Sequence, residues 1–338
     1  MNKMWCKGIG LALTLACAGT AAAATLKIAT VAPEGTVWMK EMREAGAQIK
    51  TRTAGRVEVK YFPGGVMGND AAVMRKMKLG QLQGGAFTGG ELSPVYADAQ
   101  IYSLPFLFGS LDEVAFVRKT IDPILREGFR KVGLEAVGLS GGGFAYLMST
   151  RQIRTKDELR TTKVWTPQND KIAQVAFEQA GVPVISLPLG DVYTALQTGL
   201  LETVGITTSG AIAFQWHTKV RHVVDLPLSY VVGVLAIDAR AYGKLSADDR
   251  AVVDEEYRQA FLDIDSAGLK DNESARAALV KQGIRFETPS VAEQKFWRDI
   301  GVATTKKMLA DGQISADLLA AIQKQQAAWV AQSGTAAP

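Results

Sequence analysis

Two strand–cap–helix units followed by a third strand open this chain after residue 24, and that succession restricts the fold more than any figure of composition. Residues 25–32 (TLKIATVA) alternate as a strand does, and Glu34-Gly35-Thr36 then hands over to a helix carrying Val37, Met39, Met42 and Ile49 at helical spacing. Residues 56–62 (RVEVKYF) alternate again, Pro63-Gly64-Gly65 turns, and Asn69-Asp70 opens a second helix that runs through Leu79 to Gly80. Residues 83–88 read as a short third strand. Serial units of this kind imply an α/β fold, a sheet covered by helices. Further on, Ser103-Leu104-Pro105-Phe106-Leu107-Phe108 is an extended apolar elbow with a helix from about Leu111. Residues 133–148 give a strand region and a crossover, and Val164, Val184 and residues 223–234 give more strands, the last interrupted by Pro227. Within residues 187–209 Asp191 is placed to cap a helix carrying Val192, Ala195 and Leu196 that Gly199 ends, before a short apolar strand. From Ser246 onward the pattern is helical almost throughout, starting at the capped run Lys244-Leu245-Ser246-Ala247-Asp248-Asp249. No repeat of fixed period appears, which excludes a solenoid.

The first 24 residues carry Lys3 and Lys7, an apolar run from Ile9 to Ala18, and Ala22 and Ala24 before Thr25, the three parts of a secretory leader. The run is too short to cross about 30 Å of hydrocarbon, so an export signal cleaved near Ala24 is expected rather than an anchor. Cys17 offers a lesser alternative, a lipid-attachment cysteine, but Thr14-Leu15-Ala16 suits that poorly. Cys6 and Cys17 are the only cysteines, so a chain beginning at Thr25 has no thiol for a disulfide, a zinc-thiolate site or a nucleophile. The net charge of +4 falls to +2 without the leader lysines, too balanced for a nucleic-acid partner. Hydrophobic content of 47% supports two cores of ordinary size. A periplasmic protein is the expectation.

The wording of residues 187–209, LPLGDVYTALQTGLLETVGITTS, closely resembles the solute receptors of tripartite ATP-independent periplasmic (TRAP) transporters, the dicarboxylate-receptor-like family. The elbow LPFLF and the turn YFPGG-x-x-G at residues 61–68 resemble the same family, and the matching motifs extend to about Tyr242. The resemblance implies a two-lobed periplasmic-binding-protein fold with crossing strands and a long helix bridging the lobes. Residues 25–149 plus about 234–278 are expected as lobe I, residues 150–233 plus about 279–332 as lobe II, and 333–338 as a frayed tail. Hinges are expected near Ser149 and Tyr230 to Gly233. It also implies a small-molecule ligand, TRAP permease subunits as membrane partners, a monomer or a homodimer, and no cofactor. A sensory use of the same receptor is the other role the sequence allows.

The cleft departs from the family pattern in one direction. Carboxylate-binding members read K-x-R where this chain has Lys163-Val164-Trp165, so an indole replaces the guanidinium fork that grips a carboxylate. Ala145 follows Gly143-Phe144 where a second arginine is common, and Gly205 and Ile206 stand where polar residues are usual. Burying an unpaired carboxylate costs several kcal/mol, so an apolar or largely neutral ligand is expected. Trp165 and Phe87 offer faces, worth roughly 1.5–3 kcal/mol each if fully covered. Thr88, Tyr146, Thr166, Gln168, Thr207 and Thr208 offer hydrogen-bonding groups beside Ile206. Trp216 and Phe214 follow on the same segment, with core packing as the competing use. Glu34 and Asn69 occupy loops beyond strand ends, where ligands of open sheets bind, and Asp70 has the alternative use of a helix cap. An anion held by Lys163 or another basic residue is the rival within this reading.

The enzymatic rival is a periplasmic hydrolase. Gly138-Leu139-Ser140-Gly141-Gly142 satisfies G-x-S-x-G, with Asp170 or Asp191 and then His217 or His222 in hydrolase order. That motif needs a helix immediately after the serine, whereas residues 143–148 (GFAYLM) read as continued strand. His217 and His222 are five apart and not the i, i+4 pair of a helical metal site, so no metal is expected.

Overall fold

The computed structural model describes residues 23–334. The expected leader, apart from its last two residues, and Cys17 lie outside the described residues, as do residues 335–338 of the expected tail. Nine strands form one sheet among the described residues: β1 (Ala24–Thr30), β2 (Val57–Phe62), β3 (Gly84–Thr88), β4 (Leu134–Ser149), β5 (Val164–Pro167), β6 (Val184–Leu187), β7 (Thr203–Ile206), β8 (His222–Asp238) and β9 (Arg285–Glu287). Their order is β2-β1-β3-β8-β4-β7-β5-β6, with β9 added beside the start of β8. β1 runs parallel to β2 and β3, and β5 parallel to β6 and β7, so each half repeats the arrangement expected of βα units. The two halves share β4 and β8, strands of 16 and 17 residues that pair antiparallel along their length. The α/β, two-lobed expectation is met.

The helices begin where their caps demand. Thr36 Oγ1 accepts from the Met39 amide at 3.2 Å, opening Val37–Arg52, and Asn69 Oδ1 accepts from Ala72 at 3.0 Å, opening Asp70–Lys78. Ser246 caps the 35-residue helix Ala247–Lys281 in the same way. Asp191 corrects one expectation: its side chain makes no capping bond, because a 3-10 turn over Leu189–Asp191 places it already in helical conformation ahead of Val192–Thr198. Pro227 does not end β8 as a strand. The pairing steps from Ala145↔Ser229 to Leu147↔Val224, and the residues left over, Pro227 among them, form an irregularity where no ladder donor is needed.

The long helix bridges the lobes. Val253, Tyr257, Phe261 and Ile264 near its start pack with β1, β3 and the first helix, while Leu279 near its end packs with Trp165, Val204 and Trp216. Residues 279–332 were expected with the second lobe, but the helix Ala316–Ser333 packs on Leu111–Lys131 of the first, with Leu318 and Ile322 beside Val114 and Val117. Beneath the crossing, Arg118 is buried and donates to Asp265 at 2.8 Å, to Asp122 at 3.1 Å and to the Leu139 carbonyl at 2.9 Å. Burial disfavours its charge, but Asp122 and Asp265 outweigh that and raise its pKa further. Asp265 in turn accepts from the Gly141 amide at 2.6 Å. Replacing Arg118 by Met leaves two carboxylates without their cation, and the expected loss is about 3–5 kcal/mol of unfolding free energy, read by urea denaturation.

Candidate ligand-binding cleft

The carboxyl ends of β1, β3 and β5 and the crossing of β4 with β8 surround a cavity of about 370 Å³. That is the size of a small organic ligand. Its first-lobe wall comes from Thr30 to Ala32 after β1, from Trp38, from Phe87 and Thr88 at the end of β3, and from Asp70 and Glu91. Ser140 to Gly142, Ala145, Ser229 and Val231 to Gly233 form the floor. Its second-lobe wall is Trp165, Asp170, Phe177, Leu189, Ile206, Thr207 and Phe214, and Phe106 and Trp297 close one side.

Trp165 is 3% exposed, and its position follows from its strand. β5 pairs with β6, so the indole Nε1 reaches the Leu187 carbonyl at 2.9 Å, and Trp216 meets the ring edge-on at 5.2 Å between centroids. The indole donor is therefore satisfied inside the protein, which leaves apolar surface for the cavity. Among the described residues, no Lys, Arg or His lines the cavity. Lys163 donates to the Gly199 carbonyl at 2.7 Å, and Arg276 forms a fork to Asp225 at 2.6 and 2.8 Å.

The charged groups that do line it are acids. Burial raises the pKa of Asp70 to about 7, and the neighbouring Glu91 adds to the rise. Burial also raises Glu91, against the lowering effect of the Asn169 amide, and raises Asp170 although two backbone amides hold its carboxylate. Asp170 is the cap of the helix Lys171–Gln179, accepting from Ala173 at 2.9 Å. Glu91 joins the lobes: Asn169 Nδ2 donates to it at 2.8 Å, and Ser93 donates to the Asn169 carbonyl at 3.0 Å. These polar contacts join the lobes at the acidic side of the cleft.

Residues 28–311 match the model of bacterial extracellular solute-binding protein family 7, DctP. The chain belongs to that family. The ectoine/5-hydroxyectoine-binding periplasmic protein UehA of Ruegeria pomeroyi is similar at 23% identity over 281 residues, 75% of this chain and 81% of that one. A solute-binding protein of Chromohalobacter salexigens is 25% identical over 57% of this chain, a match that spans 58% of that protein's length. The TRAP periplasmic solute-binding protein of Desulfovibrio salexigens, solved with bound orotic acid, superposes with a TM-score of 0.82 at 18% identity, covering 90% of this chain and 99% of that one.

Family 7 proteins are extracellular receptors, not enzymes, and this bears out the resemblance read from residues 187–209. The hydrolase motif has no elbow here: β4 continues from Ser140 through Ser149, and the Ser140 hydroxyl accepts from Trp38 Nε1 at 3.2 Å. His217 faces the Ala211 carbonyl at 3.1 Å and His222 faces Glu287 at 3.4 Å, so neither serves Ser140.

Of the expected ligand contacts in this family 7 receptor, Trp165, Phe87, Thr88, Ile206 and Thr207 line the cavity, as does Phe214. The others are engaged elsewhere. Glu34 forks to Arg43 at 2.7 and 2.8 Å on the surface, because the loop after β1 carries it toward the following helix instead of the cleft. Asn69 spends its side chain as a cap, and Thr166 is buried with its hydroxyl 3.0 Å from that of Ser186. Thr208 donates to the Asn272 carbonyl at 2.9 Å in the long helix. Trp216 lies behind Trp165, Tyr146 packs among the second-lobe core, and the Gln168 carbonyl accepts from Gln174 at 3.1 Å. Sequence reasoning missed Trp38, Glu91, Phe106 and Trp297 as lining residues and named Asp170 only as a hydrolase partner. Glu91 and Asp170 each follow a strand by three residues, and the rule that ligands bind beyond strand carboxyl ends would have found them.

Two outcomes follow for this family 7 receptor. Asp70 has a folded pKa near 7 against 3.8 for an unperturbed aspartate, so the folded protein holds a proton that the unfolded chain has lost. Its stability contribution is full below pH 4 and disappears as pH rises through 7, a difference on the order of 4 kcal/mol. Melting temperature should therefore fall between pH 5 and pH 8, and Asp70→Asn should flatten that part of the profile. Removing the Glu91 partner with Asn169→Ala should shift the lobes toward the open form by about tenfold, since a hydrogen bond to a charged group is worth roughly 1.5–3 kcal/mol. Single-molecule energy transfer between one engineered cysteine in each lobe measures this, with no cysteine of a chain starting at Thr25 to interfere.

Proposed function

We propose that this protein is the periplasmic receptor of a TRAP transporter that closes its lobes over a small, apolar or largely neutral organic molecule and delivers it to the membrane permease. The observation that carries the cargo class is the lining of the cavity, where Trp165 stands at the position of the carboxylate-gripping arginine and no basic side chain is present. A carboxylate brought there would meet Asp70, Glu91 and Asp170 and no counter-charge, and burying it unpaired costs several kcal/mol. Orotic acid in the Desulfovibrio receptor shows that the same fold accepts an organic acid. The rival anion reading needs a cation in the cleft, and the side chains of Lys163 and Arg276 are committed elsewhere. Support for binding through apolar contact comes from Trp165, Phe87, Phe214 and Phe177, which bring aromatic surface from both lobes to one cavity. A ligand spanning both walls binds the closed form better than the open one, and that difference drives closure.

Calorimetry against succinate, glucuronate and orotate on one side and indole and 2-phenylethanol on the other tests the cargo class. The neutral ring compounds should bind at least tenfold more tightly than any of the three acids; tighter binding of an acid would overturn the reading. Trp165→Leu should weaken the neutral compounds by about tenfold, close to 1.4 kcal/mol. Leucine suits this test because alanine would open a hole against Trp216 and cost about 3–5 kcal/mol of stability.

A further inference from the structure

We infer that the polar end of the cargo is a protonated nitrogen, an ammonium or amidinium group, received by the Asp70 carboxylate with Glu91 beside it. This rests on the reading of the cleft as a receptor site for an apolar body and departs from it in one respect, giving that body a charged head in place of a neutral one. Asp70 is 6% exposed, lines the cavity, and has no hydrogen-bond donor to its carboxylate except its own amide. The cap of its helix is supplied by Asn69, so Asp70 is not needed there. Glu91 is 8% exposed and accepts from the side-chain and backbone amides of Asn169, which leaves acceptor capacity on a group that also lines the cavity.

The titratable groups facing Asp70 across the cavity are Glu91 and, beyond it, Asp170; Lys76 on the same helix donates to the Met67 carbonyl at 2.9 Å. Buried acceptors cost free energy until a donor reaches them, and an arriving cation favours the ionised form of two neighbouring carboxylates. A neutral carbonyl would require Asp70 to keep its proton as a donor, and a carboxylate head would add a further negative charge. A protonated nitrogen supplies both the donor and the charge. Aromatic faces in the same cavity, Phe87 and Trp165, suit a ring or chain bearing such a head.

Titration of the purified protein at pH 7 with 2-phenylethylammonium, 2-phenylethanol and 3-phenylpropionate, each in two buffers of different ionisation enthalpy, tests this. The ammonium should bind at least tenfold more tightly than the alcohol and release protons on binding, because cation capture ionises Asp70. Asp70→Asn, and independently Glu91→Gln, should reduce that preference at least tenfold. Equal affinities, proton uptake with the ammonium, or an undiminished preference in both variants would overturn the inference. If the alcohol binds and the ammonium does not, only the cationic head is refuted. Binding of the propionate alone, or of none of the three, refutes the apolar-cargo reading together with it.

Discussion

The antiparallel crossing of β4 with β8 is the constraint on which the two lobes depend, because no other strand pair spans both halves of the sheet. A continuous ladder of that length would be stiff, and the sequence interrupts it: the register shifts between Ala136 and Gly138, between Gly141 and Gly143, and between Ala145 and Leu147. Gly143 sits at φ 96°, a conformation that a side chain resists, and an added Cβ would lie 2.6 Å from the Asn272 amide nitrogen. The weakened ladder is then held from below. Asn272 donates to the Gly142 carbonyl at 2.9 Å and accepts from Ser209 in the second lobe, while Asp265 holds the Gly141 amide. One helix therefore ties both lobes to the same irregular stretch of strand.

That arrangement positions the cleft directly over the place where the ladder is broken. Ser140 to Gly142 and Val231 to Gly233 form its floor, so lobe movement about the crossing changes the space available to a ligand. The walls differ in kind. The second lobe contributes mostly apolar surface through Trp165, Ile206 and Phe214, whereas the first contributes Asp70 and Glu91 along with Phe87. Contact between the lobes is polar through Glu91 and Asn169 and apolar through Ile172 and Val175, which join the first lobe's core cluster.

Much of the fold was legible because local signals and tertiary demands agree. Thr36, Asn69 and Ser246 cap the helices that their spacing announces, and residues 143–148 read as strand because they are strand. Asp191 was misread since a 3-10 turn and a cap share the same residue preferences at that spot. Tertiary placement was the harder part. Thr166 and Thr207 differ in placement: strand alternation in β5 turns Thr166 to Ser186 in the interior, whereas Thr207, past the end of β7, caps the next helix and lines the cavity. Trp38, Phe106 and Trp297 come to the cavity from distant segments, and a pattern within one segment carries no sign of that. The acids escaped notice for another reason. A carboxylate at a helix start is ordinarily a solvated charge or a cap, and only the burial of Asp70 separates it from that use.

Closure and charge are coupled through the same carboxylates. With the lobes in contact, Glu91 accepts from Asn169 and is buried, and burial raises its pKa in spite of that bond. Asp70, beside it, has only its own backbone amide as a donor among the described residues. Closing the empty cleft therefore carries an electrostatic cost that the apolar walls do not offset, since their surface stays uncovered until a ligand fills the 370 Å³ between them. A ligand that supplies only apolar surface relieves one part of that cost. One that also supplies a hydrogen-bond donor at the Asp70 end relieves both, and if lobe closure deepens the burial of these carboxylates, the relief is larger in the closed state than in the open one. Differential affinity of that kind is what shifts a two-state equilibrium, so the acids would make lobe closure itself, and not contact alone, the step that discriminates among cargoes.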